Sequence, residues 1–358
     1  MKDIKYYTTS LVPNNLLRQA ESSGIQVDRL AKKYGISEKD LADPFGWVEV
    51  DPVMNMIEEI AQISKIRNIG FYLGSQSFHP SHWSIGGYAM DTAADMDHLF
   101  ELIIGLTNGN EGDSHLVAGF VEEQSTISYF LRPVSSQWGS MNNYVEYWMA
   151  QTFHVIQSYI GKSVQATELC FAHAQQGELS AYEKFFGCSV YFEQPMNLMR
   201  LPSEWKAIIG PKRDDQLHAT LLKLVSFYVR AHHFERPFTD DVRYTLERLL
   251  YRKTLPTLES VAKIMCVSSR NLQRRLNSED SSFSEIWDEV RQYHATLTLR
   301  NGDTPIAEIA EILGYKGVSA FYSAFKRWTG YTPKDYRDKY SKNFTGYLHN
   351  DLPTIARK

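Results

Sequence analysis

Residues 257–278, TLESVAKIMCVSSRNLQRRLNS, and residues 304–329, TPIAEIAEILGYKGVSAFYSAFKRWT, carry one pattern twice. Laid over each other, they pair Leu258 with Ile306, Val261 with Ile309, Ala262 with Ala310, Ile264 with Ile312 and Met265 with Leu313. One extra residue in the second turn then shifts the register, so that Leu272 falls on Phe321 and Leu276 on Phe325. Each copy predicts a short helix, a tight turn at Cys266 or Gly314, and a second helix with a buried i, i+4 pair, which is the helix-turn-helix pattern. The small Ala262 and Ala310 let the two helices of a unit cross closely.

Local chemistry agrees with these boundaries. Thr304-Pro305 and Thr332-Pro333 put a capping hydroxyl before a proline at the first helical position. Ser268 can cap the second helix of the first unit, and Ser282 with Glu285 reads as a capping box opening FSEIWDEVRQYHATLTLRN. That stretch predicts a connecting helix, and some 20 residues at 1.5 Å each span roughly 30 Å. Successive major grooves on one face of DNA lie ~34 Å apart, so one chain can reach two of them.

With Leu272 and Leu276 turned inward, the opposite face carries Arg270, Gln273, Arg274 and Asn277 at i, i+3, i+4 and i+7. All four donate hydrogen bonds; Arg suits the guanine edge, Asn and Gln suit adenine, and all reach phosphates. The equivalent face of the second unit carries Ser319, Tyr322, Ser323 and Lys326, which is less charged. The first unit is therefore expected to supply base specificity and the second positioning, with Lys316 near the helix start on a phosphate.

Charge is divided in the same sense. Residues 1–236 hold 19 Lys and Arg against 27 Asp and Glu, a balance of −8, whereas residues 237–342 hold 17 against 14, or +3. An acidic N-terminal body repels phosphate, so the C-terminal part is the electrostatic partner for DNA. The N-terminal part mixes helix and strand. Val53, Ile57, Ile60 and Ile63 form one helical stripe within the first seventy residues, which read as helical, VDRLAKKYGI included. Met96, Leu99, Phe100 and Ile103 form another. HLVAGFVEE and STISYFLRP read as a hairpin ended by Pro133, followed by a long helix around NYVEYWMAQTFHVIQSYIG and strand-like TELCFAHA and CSVYFE. A last helix near 215–231 shows Leu217, Leu221, Leu224 and Tyr228 on one side, before RPFTDD punctuates the chain.

The predicted fold is thus an α+β regulatory domain at 1–232, a linker at 233–239, an all-α DNA-binding domain at 240–342 with two helix-turn-helix units joined by a connecting helix, and a tail at 343–358. No signal peptide or membrane-length apolar run is present, which gives a cytoplasmic expectation with no membrane partner. Three cysteines, Cys170, Cys188 and Cys266, lack metal-type spacing and read as reduced thiols. His79 with His82, and Cys170 with His173, are the pairs that could suggest a metal, but no further ligand at zinc-type spacing accompanies them. No nucleophile elbow, phosphate loop or dinucleotide fingerprint is found, so neither an enzyme nor a cofactor is expected.

The stretch from about Thr257 to Arg337, with VAKIMCVSSRNLQRRL, SFSEIWDEVRQYHATLTL, IAEIAEILGYKGVSAFYSAFKRWTG and YTPKDYR, resembles the DNA-binding domain of AraC/XylS-type transcription regulators. The resemblance implies seven helices, recognition helices containing Arg270–Asn277 and Val318–Lys326, and structural roles for Gly330, Pro333 and Arg337. The candidate DNA-binding set is Ser268, Arg270, Asn271, Gln273, Arg274, Asn277, Lys316, Val318, Ser319, Tyr322, Ser323 and Lys326. Lys316-Gly317 departs from the acidic or serine-rich pair of many relatives. EKFFGCSVYFEQPMNLMRLP and the segment before it resemble the arabinose-binding-like regulatory domain of the ornithine-utilisation type. Two functions stay open. In one, a small-molecule effector of apolar or amphipathic character binds the N-terminal domain, with RNA polymerase as a partner if the protein activates. In the other, that domain serves mainly for homodimerisation through the Leu217–Tyr228 stripe.

Overall fold

The computed structural model describes residues 6–340 except 28, 44–45, 77–82, 108–115, 123–125, 134–140, 162–163, 195, 232–236, 252–253 and 302–303. His79, His82, most of the expected linker and the tail lie outside the described residues. The chain divides into two compact units, Met1–Pro237 and Phe238–Lys358. Among the described residues no helix is long and apolar enough to cross a membrane.

The first unit is α+β. Its elements run β1 (Tyr7–Thr9), α1 (Leu11–Ser22), α2 (Leu30–Lys33), α3 (Glu38–Ala42), β2 (Trp47–Glu49), α4 (Val50–Ser64), α5 (Ile69–Gly74), α6 (Ser84–Asp91) and α7 (Met96–Thr107). There follow β3 (Leu116–Glu122), β4 (Thr126–Pro133), α8 (Asn142–Ile160), β5 (Glu168–Cys170), α9 (Leu179–Phe186), β6 (Val190–Tyr191), β7 (Asn197–Pro202), a 3-10 turn at Ser203–Ala207 and α10 (Asp215–Ala231). The sheet order is β3-β4-β7-β5-β6, antiparallel throughout except for β5 beside β6. Val117 to Glu122 face Arg132 to Ile127 in the hairpin, so Ala118 and Phe120 point to the same buried side. Phe120 stacks on Phe100 of α7 with ring centroids 4.1 Å apart, which seats the helix stripe Met96, Leu99, Phe100 and Ile103 on the sheet.

Helix α8 is buried along nearly its whole length. Helix α5 reaches it because Gly70 and Gly74 carry no side chain on the facing surface. A Cβ on Gly70 would lie 1.7 Å from the Asn143 carbonyl oxygen, and one on Gly74 would lie 2.8 Å from that of Tyr147. The gap is closed by hydrogen bonds instead: the Gly70 amide donates to Asn143 Oδ1 at 3.0 Å, and Gln151 Nε2 donates to the Gly74 carbonyl at 2.8 Å.

Several expectations for this unit need correction. Ile63 is 46% exposed, and Met56 fills the α4 stripe with Val53, Ile57 and Ile60. At 100° per residue, Ile63 stands about 80° round from Val53, at the edge of the buried face. The first seventy residues are not all helix: β1 and β2 pair antiparallel, Tyr7 opposite Glu49. VDRLAKKYGI is helical over Leu30–Lys33, because Arg29 before it takes a positive φ of 71°. Strand β7 lies between β4 and β5 in the sheet and was not anticipated. The expected helix near 215–231 is present as α10, on which Leu217 and Leu224 are 46% and 41% exposed and Leu221 is half-buried.

The second unit is all helix: α11 (Phe238–Tyr251), α12 (Leu258–Ile264), α13 (Ser269–Asn277), α14 (Phe283–Asn301), α15 (Ile306–Ile312), α16 (Val318–Thr329) and α17 (Pro333–Tyr340). Its core holds Val261, Ala262, Leu272 and Leu276 from one repeat and Ile309, Ala310, Phe321 and Phe325 from the other, around Ile286, Val290 and Leu299 of α14. Every residue aligned in the sequence as a buried pair of the second repeat helix is 0% exposed.

Candidate nucleic-acid interface

The two α12–α13 and α15–α16 units turn by the same hydrogen bonds. In the first, the Cys266 amide donates to the Lys263 carbonyl at 3.2 Å and Val267 to Ala262 at 2.9 Å. In the second, Gly314 donates to Glu311 at 2.9 Å and Tyr315 to Ala310 at 2.9 Å. Both turns need left-handed backbone, φ 55° at Cys266 and 73° at Gly314. This is the position where glycine is free of the Cβ clash that an L-residue suffers.

Caps fix where each helix begins. Thr257 and Ser260 form a reciprocal capping box on α12, and Ser268 Oγ accepts the Asn271 amide at 3.2 Å. Ser282 Oγ accepts the Glu285 amide at 3.3 Å and donates to its carboxylate at 2.8 Å. Thr332 Oγ1 accepts the Asp335 amide at 3.1 Å, with Pro333 opening α17. Thr304 does not cap α15. Pro305 itself occupies the N-cap with extended ψ of 135°, and the Thr304 carbonyl instead accepts a hydrogen bond from Arg337 Nη2.

With Leu272 and Leu276 buried, Arg270, Gln273, Arg274 and Asn277 are all exposed on the far side of α13, and Ser268 is exposed at its start. Asn271 is half-buried and holds the Arg274 guanidinium through an Nη2 to Oδ1 hydrogen bond of 2.9 Å. That contact orients Arg274 along the helix. On α16, Val318, Ser319, Ser323 and Lys326 are exposed, Tyr322 is half-buried, and Lys316 is exposed in the turn before them. Gly317 stands at the N-cap of α16 with no side-chain cap. An open groove of about 430 Å³ flanks the α13 face, lined by Leu258, Gln273, Asn277, Ser282, Phe283 and Ser284.

Helix α14 joins the two helix-turn-helix units and is braced near its start and at its middle. Near its start, Arg327 of α16 pairs with Asp288 at 2.9 Å. Arg291 donates from Nε to the Leu313 carbonyl at 2.9 Å, and its guanidinium lies 4.8 Å from the Trp287 ring and 4.6 Å from the Tyr315 ring. A cation held between two aromatic faces and a turn carbonyl fixes the second unit's turn to the connecting helix. At the other unit, Arg275 lies 3.7 Å from the Phe238 ring, and Glu279 accepts the Phe238 and Thr239 amides at 2.6 and 2.8 Å, capping α11. Sequence reasoning passed over Arg275, Glu279, Arg291 and Arg327, because their partners are distant in the chain.

The Cys170 and His173 pair gains no third ligand among the described residues, and His79 with His82 lies outside them. Cys170 Sγ contacts Glu168 Oε1 at 3.5 Å, while His173 turns to Glu146 at 3.6 Å, and no group of three His, Cys, Asp or Glu side chains converges among the described residues. Burial pushes the Cys188 thiol up to about 12, and Cys170 is raised well above the ordinary thiol range. Cys170 is buried and Cys188 half-buried, and the upward shift favours the protonated thiol at both.

Two family models match the chain. The arabinose-binding domain of AraC transcription regulator, N-term, covers residues 24–207, and a helix-turn-helix domain covers 261–339. The Ornithine utilization regulator of Pseudomonas aeruginosa is 28% identical over 200 residues, 53% of this chain and 56% of that protein. The regulator VirS of Mycobacterium tuberculosis is 26% identical over 193 residues, 53% of this chain and 55% of that one. The activator CsvR of Escherichia coli is 35% identical over 99 residues, 28% and 36% of the two chains. The chain thus spans about half the length of the first two relatives. Among solved structures, the transcriptional regulator CdpR of Pseudomonas aeruginosa is 21% identical with a TM-score of 0.45, covering 90% of this chain and 96% of its own.

Proposed function

The chain belongs to the AraC family of transcription regulators, and from that premise we propose a sequence-specific regulator of double-stranded DNA whose N-terminal unit binds a small-molecule effector. The observation that carries the DNA reading is the outward face of α13. Four donor-bearing side chains stand exposed there, on a helix whose opposite face is locked in the core by Leu272 and Leu276. In this reading Ser268, Arg270, Asn271, Gln273, Arg274 and Asn277 serve base edges and adjacent phosphates. Lys316, Val318, Ser319, Tyr322, Ser323 and Lys326 form a second, weaker contact. RNA polymerase becomes a further partner if the protein activates. Selecting bound sequences from a random duplex pool tests it: a shared motif is expected, and an unenriched pool sinks the reading.

The effector reading rests on the N-terminal family match and on an α+β unit with a thick aromatic interior. Ligands that bind the native state alone raise the melting temperature, so a thermal-shift screen of metabolites is the test. The second reading, homodimerisation, is favoured by α10, where Leu217, Leu224 and Phe227 are 46%, 41% and 66% exposed along one side. Sedimentation of Leu221→Glu beside the parent decides it, since a parent that is monomeric at micromolar concentration removes the reading.

A further inference from the structure

The groove beside α13 is built by three helices. Leu258 at the start of α12, Gln273 and Asn277 from the second half of α13, and Ser282, Phe283 and Ser284 around the start of α14 line about 430 Å³. At roughly 30 Å³ for each water of the liquid, that is room for far more than a hydration layer. Leu258 and Phe283 are half-buried and pack against the second unit's core, so they form an apolar floor fixed from beneath. Above it, Gln273, Asn277 and Ser284 are exposed, and their side chains make no hydrogen bond to another described residue.

No charged side chain lines the groove. The neighbouring carboxylate of Glu285 is held by Ser282, whose hydroxyl accepts the Glu285 amide and donates to its carboxylate. That capping box uses the Ser282 hydroxyl, which leaves the Gln273 and Asn277 amides and the Ser284 hydroxyl as the donors of the rim. An apolar floor under a neutral hydrogen-bonding rim suits an occupant that is itself part apolar and part acceptor. The sugar-phosphate backbone of duplex DNA has this character, with deoxyribose carbons beside phosphate oxygens that only accept. The groove is also placed for it: Gln273 and Asn277 belong both to its wall and to the outward face of α13, so a duplex on that face meets the groove with the strand bordering the contacted bases.

The repeat supports the same occupant independently. In the second unit the helix after α16 opens with Thr332-Pro333-Lys334, and Thr332 caps the Asp335 amide as Ser282 caps that of Glu285. Counted from the cap, Ser284 stands where the second repeat has the exposed cation Lys334.

We propose that this groove seats one sugar-phosphate unit of the DNA backbone, with Ser284 Oγ and Asn277 Nδ2 donating to the phosphate oxygens and Leu258 and Phe283 beneath the sugar. The assignment rests on the DNA reading of α13 and deepens it. Gln273 is left for a base edge, while the contact next to it fixes the depth and register of α13 and carries no sequence information. Its donors are neutral and displace no counterion. Loss of the contact therefore weakens binding to every duplex without changing the salt dependence, which loss of a lysine contact would change.

Affinities of the full chain for the duplex enriched from the random pool, and for single-base variants of it, measured over a range of salt, test this. Ser284→Ala and Asn277→Ala should each weaken binding to all these duplexes by about tenfold and leave the log–log salt slope at the parent value. Ser284→Asp puts a favoured acidic residue in a first helical turn, so it should keep the parent melting temperature yet bind more weakly than Ser284→Ala. Ser284→Lys should bind every duplex more tightly at low salt and steepen the slope by about 0.9, a gain that no misfolded variant produces. Methylphosphonate replacement of single phosphates locates the contact: one phosphate beside the selected bases should lose its effect in both alanine variants, while the other positions keep theirs. Parent-like affinity and an unchanged phosphate map in both alanine variants overturn the groove contact and leave α13 as the reader. A loss confined to one base pair overturns it too, since the groove would then read a base. An unenriched pool overturns the DNA reading and this contact with it.

Discussion

His294 of α14 donates a hydrogen bond from Nε2 to Glu247 Oε2 of α11, and the two side chains are buried together at 6% and 3% exposure. The pair ties the first helix of the second unit to the connecting helix, between which Arg243 and Glu289 also pair at 2.8 Å. Removing one member breaks a buried hydrogen-bonded pair, and breaking a pair of this kind costs about 3–5 kcal/mol. We expect Glu247→Met and His294→Leu to destabilise the second unit by roughly 3 kcal/mol each, and the double variant by much less than their sum. Calorimetry of the second-unit transition checks it; additive single losses would contradict the account.

Cys266 holds at φ 55° the position that Gly314 holds at 73° in the other repeat. A left-handed non-glycine residue costs about 1–2 kcal/mol, partly offset by the greater unfolded-state freedom of glycine. Cys266→Gly should therefore raise the stability of the second unit by roughly 0.5–1 kcal/mol. Gly314→Ala should lower it by about 1 kcal/mol or more, since its Cβ would also meet Leu255 Cδ2 at 2.9 Å. Denaturant midpoints of the two variants should move in opposite directions.

Burial raises the Glu146 carboxyl from an ordinary value of 4.5 to about 8. The folded unit then holds a proton that the unfolded chain releases, so this group's contribution is fully present below pH 4.5 and is lost as pH rises towards 8. The first unit should lose up to about 1.4 kcal/mol per pH unit across that window relative to Glu146→Gln. Melting curves of both proteins over the window would show the gap, and parallel profiles would count against a buried, protonated Glu146.

The two recognition faces should differ in kind. Arg270→Ala, Gln273→Ala or Arg274→Ala is expected to relax preference at particular bases by about 1–3 kcal/mol, because a bidentate contact to a base edge discriminates. Lys326→Ala should weaken every duplex alike and lower the salt slope by about 1. Affinities on a selected sequence and its single-base variants, at fixed salt, separate these patterns. Equal losses on all sequences for the three α13 variants would remove that helix as the reader.

The second unit was legible because its signal is local and repeated. Leu272, Leu276, Phe321 and Phe325 recur at helical spacing, with caps at Ser268 and Thr332 to mark the starts. The first unit was legible only where its elements are long. Strands of three residues such as Tyr7–Thr9 offer too few alternations to register, and Asn197–Pro202 owes its central place to neighbours far away in the chain. Glu146 sits in a run of apolar and aromatic residues, NYVEYWMAQTF, where one acid reads as a solvent-facing position. Only the packing of α5 and α9 against it reveals that it faces inward.

The bracing of α14 bears on the DNA as much as on the protein. Its 19 residues span about 28 Å, and Arg291 clamps its middle to the second unit's turn while Glu247 and His294 clamp it to the first helix. A strut fixed in this way has no hinge with which to follow a changed target. If both recognition helices enter grooves as proposed, one added base pair between the two contacts turns the far one by about 35° and shifts it by ~3.4 Å. The chain would then have to give up one contact or bend the duplex, so the distance between the two halves of its operator is set by the protein's own interior.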